Sequence, residues 1–216
     1  DIISLENITA NFSDKRAGNN KTITVTSNIS GVDASNYQLS NTTEYILANI
    51  LKKPVTVSIS ASDKVYDRLV SASASASMSG VIAGDTVSLN TPSATFSDKD
   101  AGNGKTVTMS GISISGADVS NYNLQNFTAT TTANITPKPI TSSYTASNKV
   151  YDRSSSATVS GSLTGVIFGD TVTIAETSSL FSDINVGNSK TVTVSGISIG
   201  GPGSPNYSLQ NNLTTT

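Results

Sequence analysis

Phe96-Ser-Asp-Lys-Asp-Ala-Gly-Asn-Gly-Lys105 is a ten-residue stretch of this chain that recurs twice with small changes. The other versions are Phe12-Ser-Asp-Lys-Arg-Ala-Gly-Asn-Asn-Lys21 and Phe181-Ser-Asp-Ile-Asn-Val-Gly-Asn-Ser-Lys190. Each version is followed by Thr residues that alternate with Val, Ile or Met, the two-residue period of a strand with one buried face. Each version therefore predicts a polar turn that leads into a half-buried strand.

Other landmarks repeat at a spacing of 85 residues. Tyr66 and Tyr151 lie in two Lys-Val-Tyr-Asp-Arg segments, and three Asn-Tyr pairs end at Tyr37, Tyr122 and Tyr207. A regular spacing of about domain length indicates tandem domains rather than a solenoid of short motifs. The predicted units are a first repeat (1–53, the second half of a unit only), a second repeat (54–138, complete) and a third repeat (139–216, with its last strand cut short).

The second repeat predicts an all-β fold. Val55, Val57 and Ile59 alternate with Thr and Ser, and small Ala side chains alternate with Ser over residues 72–78. About seven or eight such segments, separated by Gly, Pro and Asn turns, are typical of a sandwich, and no segment has a sustained helical period. We therefore expect small β-sandwich domains, Ig-like or related. We expect them to lie end to end as an extended rod, because Pro137 and Pro139 make the seam stiff.

The composition limits the function. Charged residues make up 13% of the chain and the formal net charge is −2, so we expect neither a nucleic-acid partner nor membrane insertion. The chain has no Cys and no His, which removes disulfides and the commonest general base. The glutamates Glu6, Glu44 and Glu176 occupy positions that are not equivalent between repeats, so paired acids for glycoside cleavage are not predicted. We expect a non-enzymatic protein.

Together these motifs resemble the YDG and MBG type repeats. The matching features are Lys-Val-Tyr-Asp, Gly-Val-Ile-x-Gly-Asp, the Phe-Ser-Asp turn with its following strand, Asn-Tyr, and Asn-Ile-Thr-Pro-Lys at 134–138. The resemblance implies tandem arrays in large bacterial surface adhesins, including filamentous haemagglutinin-like proteins, and therefore an extracellular, cell-surface or secreted location. The glycine of the Tyr-Asp-Gly signature is Arg68 and Arg153 here. Arg is strained at positive φ, so we expect either a different turn or a negative φ.

Aromatic and acidic residues at fixed positions are the candidate structural residues of each repeat. A tyrosine at one position per repeat is more often a core residue whose hydroxyl bonds the backbone than a ring that stacks on a ligand. An Asp directly after it is expected to cap the following turn through backbone N–H groups. The predicted structural anchors are Tyr66, Asp67, Tyr151, Asp152, Phe12, Phe96, Phe181, Tyr37, Tyr122 and Tyr207.

Asp98 and Asp100 are the candidate metal ligands. Two acids that are two residues apart before a glycine are reminiscent of a calcium loop, in which carboxylate oxygens surround a hard cation. The second acid is Arg16 in the first repeat and Asn185 in the third, and no bidentate Glu follows. A Gly-rich hairpin turn with an Asp cap is the main alternative. No other cofactor is predicted.

Two further chemistries remain open. Lys64 and Lys149 are candidates for an isopeptide bond with an Asn, a reaction that needs a buried Lys, Asn and carboxylate together. Thr128, Thr130 and Thr132 are candidates for a flat hydroxyl array, although Thr also suits any exposed strand.

The sequence favours a structural role. We expect stalk or spacer repeats that project a binding region away from a bacterial cell, each repeat in contact with its neighbours in the same chain. The alternative is a direct adhesion module that binds glycan, a host surface protein or another copy of itself. An incomplete first repeat has an unpaired edge, which we expect to recruit another chain or to stay mobile.

Overall fold

A computed structural model of the chain confirms the all-β prediction. It describes residues 1–210 and the backbone of residues 213–215, and within these parts only strands and short 3-10 helices occur. No helix among the described residues is long and apolar enough to span a membrane. The predicted cut of the last strand at Thr216 lies outside the described residues.

The first and second repeats contain thirteen strands. The first repeat has β1 (Ser4–Phe12), β2 (Gly18–Ser30) and β3 (Thr43–Ile50). The second begins with β4 (Lys53–Ala61), β5 (Lys64–Val65), β6 (Ser71–Ala72), β7 (Ala74–Ser79) and β8 (Ser88–Asn90). It continues with β9 (Ala94–Phe96), β10 (Gly102–Ser110), β11 (Ser113–Ser115), β12 (Tyr122–Leu124) and β13 (Thr128–Thr136).

The third repeat follows the same plan, with fewer strands among its described residues. It has β14 (Lys138–Ala146), β15 (Val159–Thr164), β16 (Thr173–Ala175) and β17 (Ser178–Phe181). It ends with β18 (Val192–Ser195), β19 (Ser198–Gly200), β20 (Tyr207–Leu209) and β21 (Leu213–Thr215). A single 3-10 turn precedes each Asn-Tyr tyrosine, at Ala34–Asn36, Val119–Asn121 and Ser204–Asn206.

The chain divides into two compact units. Unit 1 comprises Asp1–Ser58, Ala76–Pro92 and Ser110–Ala129, and unit 2 comprises Ile59–Ser75, Ser93–Met109 and Thr130–Thr216. The second repeat therefore contributes residues to both units.

In unit 1, the first repeat forms the antiparallel sheet β1-β2-β3. The apolar side chains that alternate along its strands are poorly buried: every residue of β1 is exposed, including Leu5 and Ile8. The core of the unit lies among second-repeat residues, where β12 runs parallel to the start of β4 and β8 pairs with β11. Its buried side chains are Val55, Val57, Ile112, Tyr122, Leu124 and Ala129.

In unit 2, the second repeat forms the five-stranded sheet β5-β13-β10-β9-β6. The alternation after the Phe-Ser-Asp turn buries Val107 and Met109 next to Phe96, whose strand β9 pairs with β10 in antiparallel register. The pairing of β5 with β13 is parallel. Parallel pairs recur at β4–β12 and β14–β20, a feature that a purely antiparallel Ig sandwich lacks.

The third repeat has its own core in unit 2. Strand β14 pairs with β15 on one side and with β20 on the other, and β17-β18-β21 form a second sheet. Their inward side chains meet in a cluster of Tyr144, Val192, Val194 and Ile197. Phe181 and Leu209 are partly buried and pack against this cluster. Large apolar side chains of the repeat motifs therefore surround the core.

The Phe-Ser-Asp turn has the same local structure in all three repeats. Asp98 Oδ1 accepts the backbone N–H of Asp100 at 2.9 Å, which closes the turn with the predicted type of Asp cap. Six residues after the aspartate the chain adopts a positive φ, at Gly104 (+61°), Asn20 (+51°) and Ser189 (+52°). Gly and Asn tolerate this region well, which explains two of the three residue types found there.

Candidate functional site at the contact between repeats

The Lys-Val-Tyr-Asp-Arg segment at 64–68 folds into a tight turn that is held by hydrogen bonds from its lysine. Lys64 Nζ donates to Asp67 at 2.7 Å and to the Leu69 carbonyl at 2.6 Å, and it lies 5.5 Å from the centre of the Phe96 ring. Asp67 also accepts the backbone N–H of Leu69 at 2.9 Å. The aspartate thus caps the turn and pairs with the lysine charge. Burial acts to raise the pKa of Asp67, but the hydrogen bonds from Lys64 and the Leu69 N–H outweigh it, so the pKa is lowered.

The equivalent segment at 149–153 has the same internal contacts. Lys149 Nζ donates to Asp152 at 2.9 Å and to the Ser154 carbonyl at 2.7 Å, beside the Phe181 ring. In both segments the lysine meets a carboxylate and backbone carbonyls rather than an asparagine. The contacts described for these lysines therefore do not assemble the Lys, Asn and carboxylate set that an isopeptide bond needs.

Arg68 and Arg153 occupy the left-handed region, with φ of +67° and +64°. Of the two expectations, a negative φ is therefore wrong at both positions. A non-glycine residue in this region costs about 1–2 kcal/mol, so other contacts must hold the turn. The lysine and aspartate contacts described above supply that support in both segments.

Tyr66 links the second repeat to the third. Its side chain is 1% exposed, and its hydroxyl donates to Asp170 Oδ2 at 3.0 Å. Its ring meets the Tyr207 ring edge to face, with centroids 5.6 Å apart. The prediction that this hydroxyl bonds the backbone is wrong, because its partner is a carboxylate of the following repeat.

The Asp170 carboxylate contacts three side chains. Besides Tyr66, it accepts the Tyr207 hydroxyl at 2.5 Å and forms an ion pair with Arg68 Nε at 3.2 Å. Arg68 Nη1 also donates to the Phe168 carbonyl at 2.5 Å. We call Tyr66, Arg68, Asp170 and Tyr207 the tyrosine joint. All four belong to unit 2.

The tyrosine joint has a stable protonation state over a wide pH range. Burial, then the hydrogen bond and charge of Asp170, raises the pKa of Tyr66 to about 12, and burial and Asp170 likewise raise the pKa of Tyr207 to about 12. Burial of Asp170 acts to raise its own pKa, but both hydroxyls and the Arg68 charge outweigh this and lower it. The hydroxyls thus stay protonated while the carboxylate stays ionised.

A second contact joins the Phe-Ser-Asp turn of one repeat to the Asn-Tyr pair of the next. Asn206 Oδ1 accepts the Ala101 backbone N–H at 2.7 Å, and its amide donates to Asp100 at 3.2 Å. In unit 1, Asn121 accepts the Ala17 N–H at 2.9 Å in the same way. These asparagines were not predicted from the sequence as contact residues. The signal was their recurrence in all three Asn-Tyr pairs.

The two calcium candidates have different neighbours. Asp98 pairs with Lys105 Nζ, whereas Asp100 bonds Lys99 at 2.9 Å and Asn206. These ammonium groups hold the pKa of both carboxyls low. Among the described residues no group of three or more His, Cys, Asp or Glu is arranged to hold a metal. Calcium binding by Asp98 and Asp100 stays a prediction.

The predicted aromatic anchors divide into two sets. Phe96, Tyr66, Tyr122 and Tyr207 are buried, and Phe181 is partly buried. Phe12, Tyr37 and Tyr151 are exposed, so equivalent positions differ in their surroundings from repeat to repeat. The acidic anchors behave alike, since Asp67 and Asp152 cap equivalent turns.

Unit 2 contains clefts among its described residues. One of about 360 Å³ lies beside the tyrosine joint, lined by Arg68, Lys99 and Asp100 with residues 169–171 and Asn206. Another, of about 800 Å³, lies between residues 146–151 and residues 183–190. In the second repeat, Ile135 and Thr136 of β13 pair with β5 in parallel register.

The family model described as YDG domain matches residues 1–44, 51–133 and 136–216. Neither the comparison with curated proteins nor that with solved structures gives a significant match.

Proposed function

Because the chain belongs to the YDG domain family, we propose that it is a structural stalk segment of a bacterial cell-surface adhesin. In this proposal the repeats are small β-sandwich domains arranged end to end as an extended rod. The rod carries a binding region away from the cell, in the extracellular space. The segment itself performs no catalysis and holds no cofactor.

The tyrosine joint is the observation that supports this proposal. A spacer needs each repeat to meet the next through a contact that fixes direction as well as distance. The joint combines an edge-to-face contact between two rings, hydrogen bonds from two tyrosine hydroxyls to Asp170 and an ion pair between Arg68 and Asp170. Directional polar contacts of this kind favour one orientation, whereas apolar contact alone tolerates rotation.

The recurrence of the asparagine contact supports the same role. The Ala17–Asn121 and Ala101–Asn206 hydrogen bonds, at 2.9 and 2.7 Å, join successive repeats through equivalent residues. Repeats that use the same contact each add the same increment of length and the same turn about the long axis. This is the property by which repeat arrays build regular extended structures.

Small-angle X-ray scattering of the 216-residue chain tests the proposal. A compact domain of this length has a radius of gyration of about 17 Å. The stalk proposal predicts a clearly larger value and an asymmetric distance distribution. A value near that of the compact domain would contradict the stalk.

The same scattering measurement in calcium and in EDTA tests the prediction for Asp98 and Asp100. A change in the scattering curve on calcium addition, lost in the Asp98→Asn variant, would support a bound ion. Identical curves would contradict calcium binding by Asp98 and Asp100 and would leave the stalk proposal unaffected.

A further inference from the structure

The strands that open and close the second repeat are interior strands of their sheets. Strand β4, which opens the repeat, lies between β12 and β7, and strand β13, which closes it, lies between β5 and β10. The third repeat opens in the same way, with β14 between β15 and β20. An interior strand leaves its sheet only when the hydrogen bonds on both of its sides break. A force along the chain therefore meets two ladders at each of these strands.

Parallel pairing joins the beginning of the second repeat to its end. Residues 53–55 of β4 pair with residues 122–124 of β12, and residues 64–65 of β5 pair with residues 135–136 of β13. When the two ends of the repeat are pulled apart, the members of each parallel pair are drawn in opposite directions along their common axis. This loads the ladder in shear, so its hydrogen bonds carry the force together instead of opening one after another.

Side chains add hydrogen bonds to both parallel pairs. Asn126 Oδ1 accepts the Val57 N–H at 2.9 Å, and its amide donates to the Val57 carbonyl at 2.8 Å. Asp63 accepts the backbone N–H of Asn134 at 2.7 Å and its side-chain amide at 2.9 Å. We call the β4–β12 pair with Asn126 the first clamp, and the β5–β13 pair with Asp63 the second clamp. Each clamp thus has more hydrogen bonds than its strand pairing alone provides.

The seam between the second and third repeats passes tension on without slack. Strand β13 ends at Thr136 and β14 begins at Lys138, so a single residue, Pro137, separates them. The fixed φ of proline leaves this seam little freedom to extend. Strand β14 then pairs in parallel with β20 over residues 138–140, which repeats the arrangement of the first clamp. A pull on the third repeat therefore acts directly on β13.

From this geometry we propose that the second repeat is a load-bearing module, which resists separation of its two ends through the first and second clamps. The inference rests on the proposed stalk function, because a stalk bears tension when its binding region holds a target and the cell is displaced. Forced unfolding is governed by the rate of leaving the native state rather than by equilibrium stability. The clamps control that rate, since unfolding under load begins only after one of them breaks.

Single-molecule force spectroscopy of the full chain in two pulling geometries tests the proposal. The chain has no Cys, so pairs of introduced cysteines define the attachment points. Leu51→Cys with Pro137→Cys pulls the ends of the second repeat and loads both clamps in shear. Thr95→Cys with Thr108→Cys pulls apart two residues that face each other across the antiparallel β9–β10 pair. Both pairs act on the same folded repeat, so a difference between them reports geometry rather than stability.

We expect a clearly higher unfolding force between residues 51 and 137, with a length gain of about 250–300 Å as the repeat extends. In that geometry, Asp63→Ala and Asn126→Ala together should raise the unfolding rate at constant force about tenfold, because each removes two hydrogen bonds from a clamp. Between residues 95 and 108 the same substitutions should leave the rate unchanged.

Asn90→Ala is the matched control, because Asn90 bonds Ser113 and Ser115 across the antiparallel β8–β11 pair, outside both clamps. Equal forces in the two geometries overturn the proposal. It is also overturned if the clamp substitutions act equally in both geometries, or if Asn90→Ala matches their effect. The scattering test of the stalk is separate from these results: an extended chain with a low unfolding force would keep the stalk and remove its load-bearing role.

Discussion

The segments at 64–68 and 149–153 have the same five residues and the same internal contacts, yet their tyrosines have different surroundings. Tyr66 is 1% exposed and bonds Asp170, whereas Tyr151 is 55% exposed. In both segments the lysine bonds the aspartate and the arginine has a positive φ. The five residues therefore encode the turn, while burial of the tyrosine depends on residues elsewhere in the chain.

The acceptor aspartates differ in the same way. Asp170 receives two hydroxyls and an arginine, and its side chain is 8% exposed. Asp85 receives the Tyr122 hydroxyl at 2.7 Å and no tyrosine of a preceding repeat among the described residues. The pair of aspartates thus offers matched positions at which to measure what the joint contributes.

Replacement of the two tyrosines by alanine should give the largest contrast. Tyr66→Ala removes a buried ring and a hydroxyl that bonds Asp170, and we expect a loss of about 3–5 kcal/mol in the free energy of unfolding. Tyr151→Ala should change it by less than about 0.5 kcal/mol, because its side chain is exposed. Urea unfolding of both variants checks this. Equal losses would mean that the turn, rather than the joint, stabilises Tyr66.

Replacement of the two aspartates by asparagine isolates the polar part of the joint. Asp170→Asn removes the charge opposite Arg68 and weakens two hydroxyl contacts, with an expected loss of about 1–3 kcal/mol. Asp85→Asn affects one hydroxyl contact and should cost about 1 kcal/mol or less. Thermal unfolding measures both. Similar costs at the two positions would contradict an energetic role for Arg68 and Tyr66.

Alkaline pH should weaken the joint through its tyrosines. The folded state has a pKa of about 12 for Tyr66, above its ordinary value of 10.0, so the unfolded chain loses the proton first. The stabilisation is fully present below pH 10 and is lost as the pH rises through 12. At pH 11 the wild type should lose about 1.4 kcal/mol more than Tyr66→Phe, relative to pH 9. A parallel pH dependence of the two proteins would exclude this titration.

The two arginines should give the smallest contrast. Arg153→Gly relieves a positive φ and should stabilise the chain by about 0.5–1 kcal/mol. Arg68→Gly relieves the same strain but loses the Asp170 ion pair and the Phe168 carbonyl contact, so its net effect should be near zero or destabilising. Differential scanning calorimetry of the two variants compares them. Equal stabilisation would assign the Arg68 contacts no energetic value.

The strand content could be predicted from the sequence because its cause is local. Alternation at Val55, Val57 and around Val107 reports directly which face of each strand is buried. Asn20 and Gly104, in the Phe-Ser-Asp turns, likewise mark positions with a positive φ. These properties depend on neighbours a few residues apart, so a single chain displays them.

The joint could not be predicted because its partners are distant in sequence. Tyr66 and Asp170 are 104 residues apart, and Ala101 and Asn206 are 105 apart. Their repetition showed that each position matters in every repeat, but gave no information on which repeat supplies the partner. The positive φ of Arg68 was equally hidden, since arginine disfavours the conformation that the surrounding lysine and aspartate contacts enforce.

The central claim is that the tyrosine joint fixes the second and third repeats in one orientation within unit 2. Because the chain lacks cysteine, spin labels at Thr132→Cys and Ser198→Cys, both exposed strand positions, report that orientation by pulsed electron paramagnetic resonance. We predict one narrow distance distribution in the wild type and in Asp85→Asn, and a broad distribution in Asp170→Asn. Distributions of equal width in all three proteins would contradict the claim.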